Sequence, residues 1–444
     1  MLVQVGPIEY YFLRSHIKSN LFLFCPKRLI KTKKTSLIMS EEFSPQLRVA
    51  LLCLSMLIGF ISLLSSLAIM LMILKSKIKL SVPYRRIIFG LSVYDVIYSF
   101  SHVVAWFAHP STDEVWGTIG NQLTCSMQGC IKFIGATGSQ MYNGSLCTYF
   151  ACAIVLSMKQ SSIEKRVEPF LHIFPVLWTL IGAIYLSVNK YFNITTDNIT
   201  CGIQSYPLDC VHDENIPCEQ GENFMKVKWI LLIIPLLLTS LLIIVTMTLI
   251  YLTVKKQERK MKKYTFKIRS KEQHKKNCHI VCDIAVSSHA ELPEEDSQNY
   301  DVKSRHRNIT MLQHTRKIVS RSIHSVLSTQ SKKTRDVFIQ SMLYACAFVF
   351  TWIFQFLKFM ARARGRPSHI LTIGGKICKP AQGCLNVLVY TRQSVICLRK
   401  AHSDYSWWKA FVTVIKTGGD NDGNFSQKSL NRRSLVLQND NSDN

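Results

Sequence analysis

Blocks of about 20 or more apolar residues recur along this chain, separated by segments that hold nearly all of its charge. About 20 residues of helix cross the roughly 30 Å hydrocarbon layer of a bilayer, and in that layer only a helix or a closed barrel satisfies every backbone group. The pattern therefore predicts an all-α, polytopic membrane protein. Composition does not decide this, because 444 residues with 48% apolar side chains would also suit a soluble protein.

Seven spans are read from the blocks, at about 47–74, 87–108, 125–158, 170–188, 229–254, 337–359 and 368–390, and the expected fold is a seven-transmembrane helix bundle. The fifth is the cleanest, almost wholly aliphatic from Ile230 through Ile244. The third is long and carries Gly135, Ala136, Gly138, Ser139, Asn143 and Gly144, small and polar residues that suit close helix packing and a central position. The seventh is the weakest, since Gly374, Gly375, Lys376, Lys379 and Pro380 lower its hydropathy.

Charge orients the spans. Lys75, Lys77, Lys79, Arg85 and Arg86 follow the first, while Asp113 and Glu114 follow the second. Lys159, Lys165 and Arg166 follow the third, and acids from Asp197 to Glu222 follow the fourth. Basic loops stay in the cytosol, so the amino terminus is expected outside and the carboxyl terminus inside. Two features run against the rule. Basic residues from Arg14 to Lys34 precede the first span; a start at Met39 would remove that conflict within the extracellular segment 1–46. Lys358, Arg362, Arg364 and Arg366 make a basic turn on the outer side.

The polar stretch 255–336 reads as a long, disordered cytosolic loop, and 392–444 as a cytosolic tail. Tyr405, Trp407, Trp408 and Lys409 suit an interfacial helix at about 403–415. The formal charge of +26 lies mainly beside spans, which suits anionic headgroups and argues against nucleic acid as a partner. The expected location is the plasma membrane, with the lipid bilayer as the first partner. Fifteen cysteines show no CxxC pairing, so neither a metal site nor a cofactor is expected.

Several residues are candidates for chemistry. Cys125 opens the third span on the outer side, and the next outer loop offers Cys201, Cys210 and Cys218. An oxidising compartment would pair them, with Cys125–Cys201 the favoured bridge; pairing within the loop, or through Cys130, stays open. Asn193-Ile194-Thr195 and Asn198-Ile199-Thr200 are glycosylation acceptors in that loop. Asp95, Lys132 and Lys376 are ionisable groups inside spans, each costly unless it faces a wet interior or a partner. Asp95 can anchor a polar network, and the two lysines are ligand candidates.

The string Pro380-Ala381-Gln382-Gly383-Cys384-Leu385-Asn386-Val387-Leu388-Val389-Tyr390 resembles the PxQGxxNxxVY pattern of the seventh helix in the cyclic-AMP-receptor-like and secretin-like branches of G-protein-coupled receptors. Pro and Gly loosen a helix, and Gln and Asn offer amides that can exchange partners between two packings. The acidic-Arg-aromatic triplet of rhodopsin-like receptors is absent after the third span, where Met158-Lys159-Gln160 stands.

The resemblance implies a receptor that passes the binding of an unknown extracellular ligand to a heterotrimeric G protein. Asp95, Pro380, Gln382, Gly383, Asn386 and Tyr390 would form its switch. Lys255, Lys256, Arg259 and Lys260 below the fifth span, with Lys332, Lys333 and Arg335 before the sixth, would meet the G protein. Two alternatives are a retinal-binding photoreceptor or pump with a Schiff base on Lys376, and a secondary transporter. No HExxH, GxSxG or paired intramembrane carboxylate suggests an enzyme. Tags placed near Asp213 and near Glu294 should label outside and inside respectively in intact cells; the reverse pattern would invert the topology.

Overall fold

Helix α1, Pro45–Lys75, begins where Ser44 caps it: the hydroxyl accepts from the Leu47 amide at 3.3 Å, and Pro45 takes the first turn, where its missing N–H costs nothing. The computed structural model describes residues 43–111, 117–195, 199–208, 210, 216–287, 335–361, 364, 366 and 368–418. The basic cluster before Lys34 and the expected start at Met39 lie outside these, as do Asn198, Lys332 and Lys333.

The middle of the face that α1 buries is small and polar, with Ser55, Gly59, Ser62 and Ser66, flanked by buried Leu51 and Leu52 on one side and Ile69, Met72 and Ile73 on the other, while Leu57, Leu64 and Leu71 point outward. Small side chains in the middle of the buried face with leucines turned outward suit a helix in lipid, where tight packing rather than apolar burial joins neighbours. Helix α2, Pro83–Val103, buries Asp95, Ser92, Ser99 and His102. Helix α3, Gln122–Ile154, opens with a reciprocal capping box between Asn121 and Thr124 and packs against α1's neighbour α2, the following helix α4 (Glu168–Val188) and the long helix Ile234–Ser287. Its glycines explain how α2 comes so near: a Cβ on Gly135 would lie 2.5 Å from the Tyr98 Cα, and one on Gly138 would collide with the Tyr94 ring.

After α4 a short antiparallel hairpin forms from β1, Phe192–Ile194, and β2, Cys201–Ile203, with Phe192 opposite Ile203 and Ile194 opposite Cys201. Helix α5 starts as Phe224–Lys228, passes through a π turn at Trp229–Ile233 and continues as Ile234–Ser287. Helix α6 covers Arg335–Ala361. Two helices, α7 (His369–Cys378) and α8 (Gln382–Ala401), flank a break at Lys379-Pro380-Ala381. Helix α9, Trp407–Thr417, is capped by Ser406 and seats Ala410 and Val414 in the core shared with α1 and α8.

Among the described residues, four helices are long and apolar enough to cross a membrane: α1, the stretch Gln160–Val188 that includes α4, the Phe224–Lys263 part of α5, and α6. The chain is thus a multi-pass helical membrane protein. Helices α2 and α3 are less apolar, diluted by the polar side chains that the bundle interior buries, and α7, with 10 residues, is too short to cross by itself.

Three expectations need correction. The seventh span is two helices rather than one, since Pro380 cannot donate its amide to the preceding turn, and α8 runs on past Tyr390 to Ala401. The segment after 254 is helical as far as Ser287, its Lys, Arg, Gln and Glu being good helix formers. The helix expected at about 403–415 lies at Trp407–Thr417, slightly later in the chain.

Gly135→Ala should destabilise the fold by about 1–3 kcal/mol through overpacking and so lower the thermal midpoint. Gly375→Ala, whose Cβ would meet Gln355 only at 3.5 Å, should be neutral or stabilising. Thermal unfolding of the two variants in detergent checks the contrast.

Candidate functional site

The β1–β2 hairpin covers one end of the bundle and is tied to α3 at several points. Cys125 and Cys201 form a disulfide with their Cα atoms 5.4 Å apart, and Cys210 pairs with Cys218 within the loop. Cys130 is a free thiol. Gln128 bridges hairpin and α2, accepting from the Cys201 amide at 3.2 Å and donating to the Ser101 carbonyl at 2.9 Å. Ser126 donates to the Phe192 carbonyl at 3.0 Å.

Asn193 belongs to this joint, which corrects its reading as a glycan acceptor. Its side chain is fully buried, the amide nitrogen donates to the carbonyls of Gln204 at 2.8 Å and Lys190 at 3.2 Å, and its oxygen accepts from Gln122. A sugar on that nitrogen would have to displace both bonds and would have no path to solvent.

Beneath the hairpin lies a cavity of about 180 Å³ among α2, α3, α5, α6 and α7. Lys132 donates to the Thr200 hydroxyl at 2.9 Å and the Cys201 carbonyl at 2.8 Å, and Lys376 reaches the same hydroxyl at 2.8 Å. The two ligand candidates from different helices therefore converge. Lys379 joins them: buried at the break between α7 and α8, its ammonium sits 4.0 Å from the Trp352 ring centroid and 5.1 Å from that of Tyr98. Lys228 and Lys358 complete the lysines of the lining, and no Asp or Glu lines it among the described residues.

Sequence reasoning read Lys358 as a departure from charge orientation and missed Lys228, Tyr98, His102 and Trp352. An aromatic inside an apolar span carries no signal of what it faces. His102 is fixed by a 2.9 Å hydrogen bond between its Nδ1 and the Ser55 hydroxyl, while its buried Nε2 has no partner, and the Trp352 indole nitrogen is likewise unpartnered.

One turn deeper is a buried polar network. Ser139 donates to Asp95 Oδ1 at 2.5 Å, Asn386 donates to Asp95 Oδ2 at 2.6 Å, and Gln382 donates to the Ser139 hydroxyl at 2.7 Å. Ser62 of α1 accepts from the Gly383 amide and from Ser99, both at 3.0 Å. Only glycine fits at 383, since a Cβ there would meet the Ser62 carbonyl oxygen at 2.8 Å. Pro380 is buried at the break above, and Tyr390, one turn beyond Asn386, is half-buried against the core that includes Tyr84, Phe150 and Tyr344.

At the far end from the hairpin, Lys255, Lys256, Arg259, Lys260 and Arg335 are exposed. A crevice of about 290 Å³ between α6 and α8 is lined by Asp336, Gln340, Arg392 and Gln393. A clamp that sequence reasoning missed lies near it. Arg86 holds Glu168 through two nitrogens, one at 2.8 Å, and Glu164 at 2.8 Å, fastening α2 to the start of α4.

No protein-family model matches the sequence, and no curated protein does. Among solved structures, a crystal structure of squid rhodopsin superposes with a TM-score of 0.48 at 11% identity, over 86% of this chain and 93% of that one.

Replacing Cys125 or Cys201 by Ser should cost roughly 2–4 kcal/mol of stability. The double variant should be no worse than either single one, because one bridge is lost in all three. Thermal unfolding of the three variants measures this; an additive double variant would mean that each cysteine acts alone.

Proposed function

We propose that this chain is a G-protein-coupled receptor that transmits ligand binding at the hairpin end to a heterotrimeric G protein at the other. The observation that carries the reading is a spacing of three residues repeated in three segments. Tyr98, Ala136 and Lys379 line the cavity, while Asp95, Ser139 and Gln382, each three residues away in the chain, on α2, on α3 and across the break into α8, form the polar network. A ligand that moves the cavity wall therefore acts directly on amides and hydroxyls that can change partners.

The network continues through Asn386 toward Tyr390 and the crevice beside α6. Ligand binding would favour one of two packings, and parting α5 from α6 would admit the G protein to Lys255, Lys256, Arg259, Lys260 and Arg335, with Lys332 and Lys333 alongside. The hairpin end is outside and the crevice inside in this reading, at the plasma membrane. The Pro380–Tyr390 string supports the cyclic-AMP-receptor-like or secretin-like branch.

Membrane hydrogen bonds between helices average only about 0.6 kcal/mol, so folding should survive loss of a single member of the network. A two-state gap of a few kcal/mol is more sensitive: a change of about 1–2 kcal/mol alters the ratio of states roughly 5- to 30-fold. Asn386→Leu and Tyr390→Ala should reach the cell surface at near-normal levels while basal or ligand-stimulated nucleotide exchange on co-expressed G proteins shifts markedly. Normal exchange in both variants, or retention of both inside the cell, would show a structural role instead.

A further inference from the structure

We propose that the end of α5 remote from the hairpin carries a binding surface for anionic phospholipid headgroups, formed by Lys255, Lys256, Arg259, Lys262 and Lys263 on the side of the helix that meets lipid. The proposal concerns the bundle as it stands, before any parting of α5 from α6, and it goes beyond the receptor reading without resting on it.

Helical register places these cations. Ile243, Ile250 and Val254 are buried and mark the stripe by which α5 packs on the bundle. Leu238, Val245 and Leu252 are 61, 47 and 54% exposed and mark the opposite stripe, the one that meets acyl chains. They recur every seven residues, and side chains at that spacing stand nearly above one another on a helix. The next position of the exposed stripe is Arg259, with Lys256 one turn beyond Leu252 and Lys263 one turn beyond Arg259. Lys255 and Lys262 stand beside this line, and all five side chains are exposed. The one acid between Lys255 and Lys263, Glu258, sits off the centre of this face, about 100° round the helix from Arg259. The cations therefore continue the lipid-facing side of α5 instead of turning into the bundle.

Height along the helix selects the headgroups. Tyr251 is exposed, and the Lys255 ammonium one turn on lies 3.3 Å from its phenol oxygen and 5.3 Å from its ring centroid. Aromatic and basic side chains mix in this way at the edge of the hydrocarbon layer. At 1.5 Å per residue, Lys255 to Lys263 climbs about 12 Å from that edge. A headgroup layer of roughly 5–8 Å and a Debye length of about 8 Å at physiological salt cover that distance, so the whole set lies within reach of the surrounding phosphates. A choline headgroup answers its own phosphate with a cation, whereas an anionic headgroup keeps a net charge. Each Lys or Arg near such a surface contributes a factor of about five in binding, so the set prefers anionic lipid.

The test uses full-length protein in nanodiscs of phosphatidylcholine containing phosphatidylserine. A phosphatidylserine analogue with a photoreactive group in its headgroup should label the segment Lys255–Lys263, mapped by mass spectrometry, and the matching phosphatidylcholine analogue should label it far less. Added salt should narrow the difference. Retention of phosphatidylserine through detergent exchange, read by native mass spectrometry, should fall at least about tenfold in the triple variant Lys256→Gln, Arg259→Gln, Lys263→Gln. The triple variant Lys159→Gln, Lys165→Gln, Arg166→Gln removes the same charge from exposed positions between α3 and α4 and should reduce retention far less.

Equal labelling by the two analogues, label that falls outside Lys255–Lys263, or equal loss of retention in the two charge-matched variants would each overturn the proposal. Labelling needs no variant, so the test stands even where a substituted protein fails to fold. Unchanged retention together with lost nucleotide exchange in the α5 variant would give these cations to a G protein instead of the leaflet, overturning the proposal and supporting the receptor reading.

Discussion

Two hydrogen bonds to one carboxylate set the interior of this bundle. Asp95 is held by Ser139 on one oxygen and Asn386 on the other, so α2, α3 and α8 are referred to a common point. A carboxyl group inside a membrane protein is costly unless its oxygens are satisfied, and here both are met by neutral donors at short range. Much else follows from bringing those donors within reach. Gly135 and Gly138 let α2 lie against α3, and Gly383 lets α8 lie against Ser62 of α1. A seam of small and polar residues consequently runs through the interior beside an apolar core that includes Ile69, Met72, Leu91, Leu146 and Phe150.

The cavity owes its character to the break that precedes this seam. Pro380 interrupts the ladder between α7 and α8, and the turn so formed buries Lys379 against Trp352 and Tyr98 instead of letting it extend to an interface. The same turn starts α8 in the register that brings Gln382 to Ser139 and Asn386 to Asp95. One irregularity thus places a cation in the cavity and two amides in the network below it. The Cys125–Cys201 bridge and the Lys132 bonds close the cavity from the hairpin side.

Legibility in the sequence followed the strength of one-dimensional signals. The helices whose outward faces are aliphatic, α1, α5 and α6, stood out as apolar runs, and Asp95 stood out because an acid in such a setting demands a partner. Asn193 misled because an acceptor motif specifies three residues and says nothing of burial, whereas the hairpin turns that side chain inward between Lys190 and Gln204. The Arg86–Glu168 clamp was invisible because its members are separated by 82 positions and look like ordinary loop charges. The helical extension to Ser287 was overlooked because high charge was read as disorder, although the same residues are good helix formers.

The sequence by itself determined that this chain lives in a membrane, where its long apolar helices run, and that Asp95 needs a partner, because hydrocarbon admits no unsatisfied backbone and few charges. Only the tertiary structure decided what the buried polar residues do. Lys132, Lys376 and Lys379 meet around one cavity, and Asp95, Ser139, Gln382 and Asn386 meet in one network, through the relative rotation and approach of helices far apart in the chain. No local pattern encodes that rotation: it is set by where glycines and serines allow contact and where a proline breaks the ladder, quantities that exist only once the helices are packed.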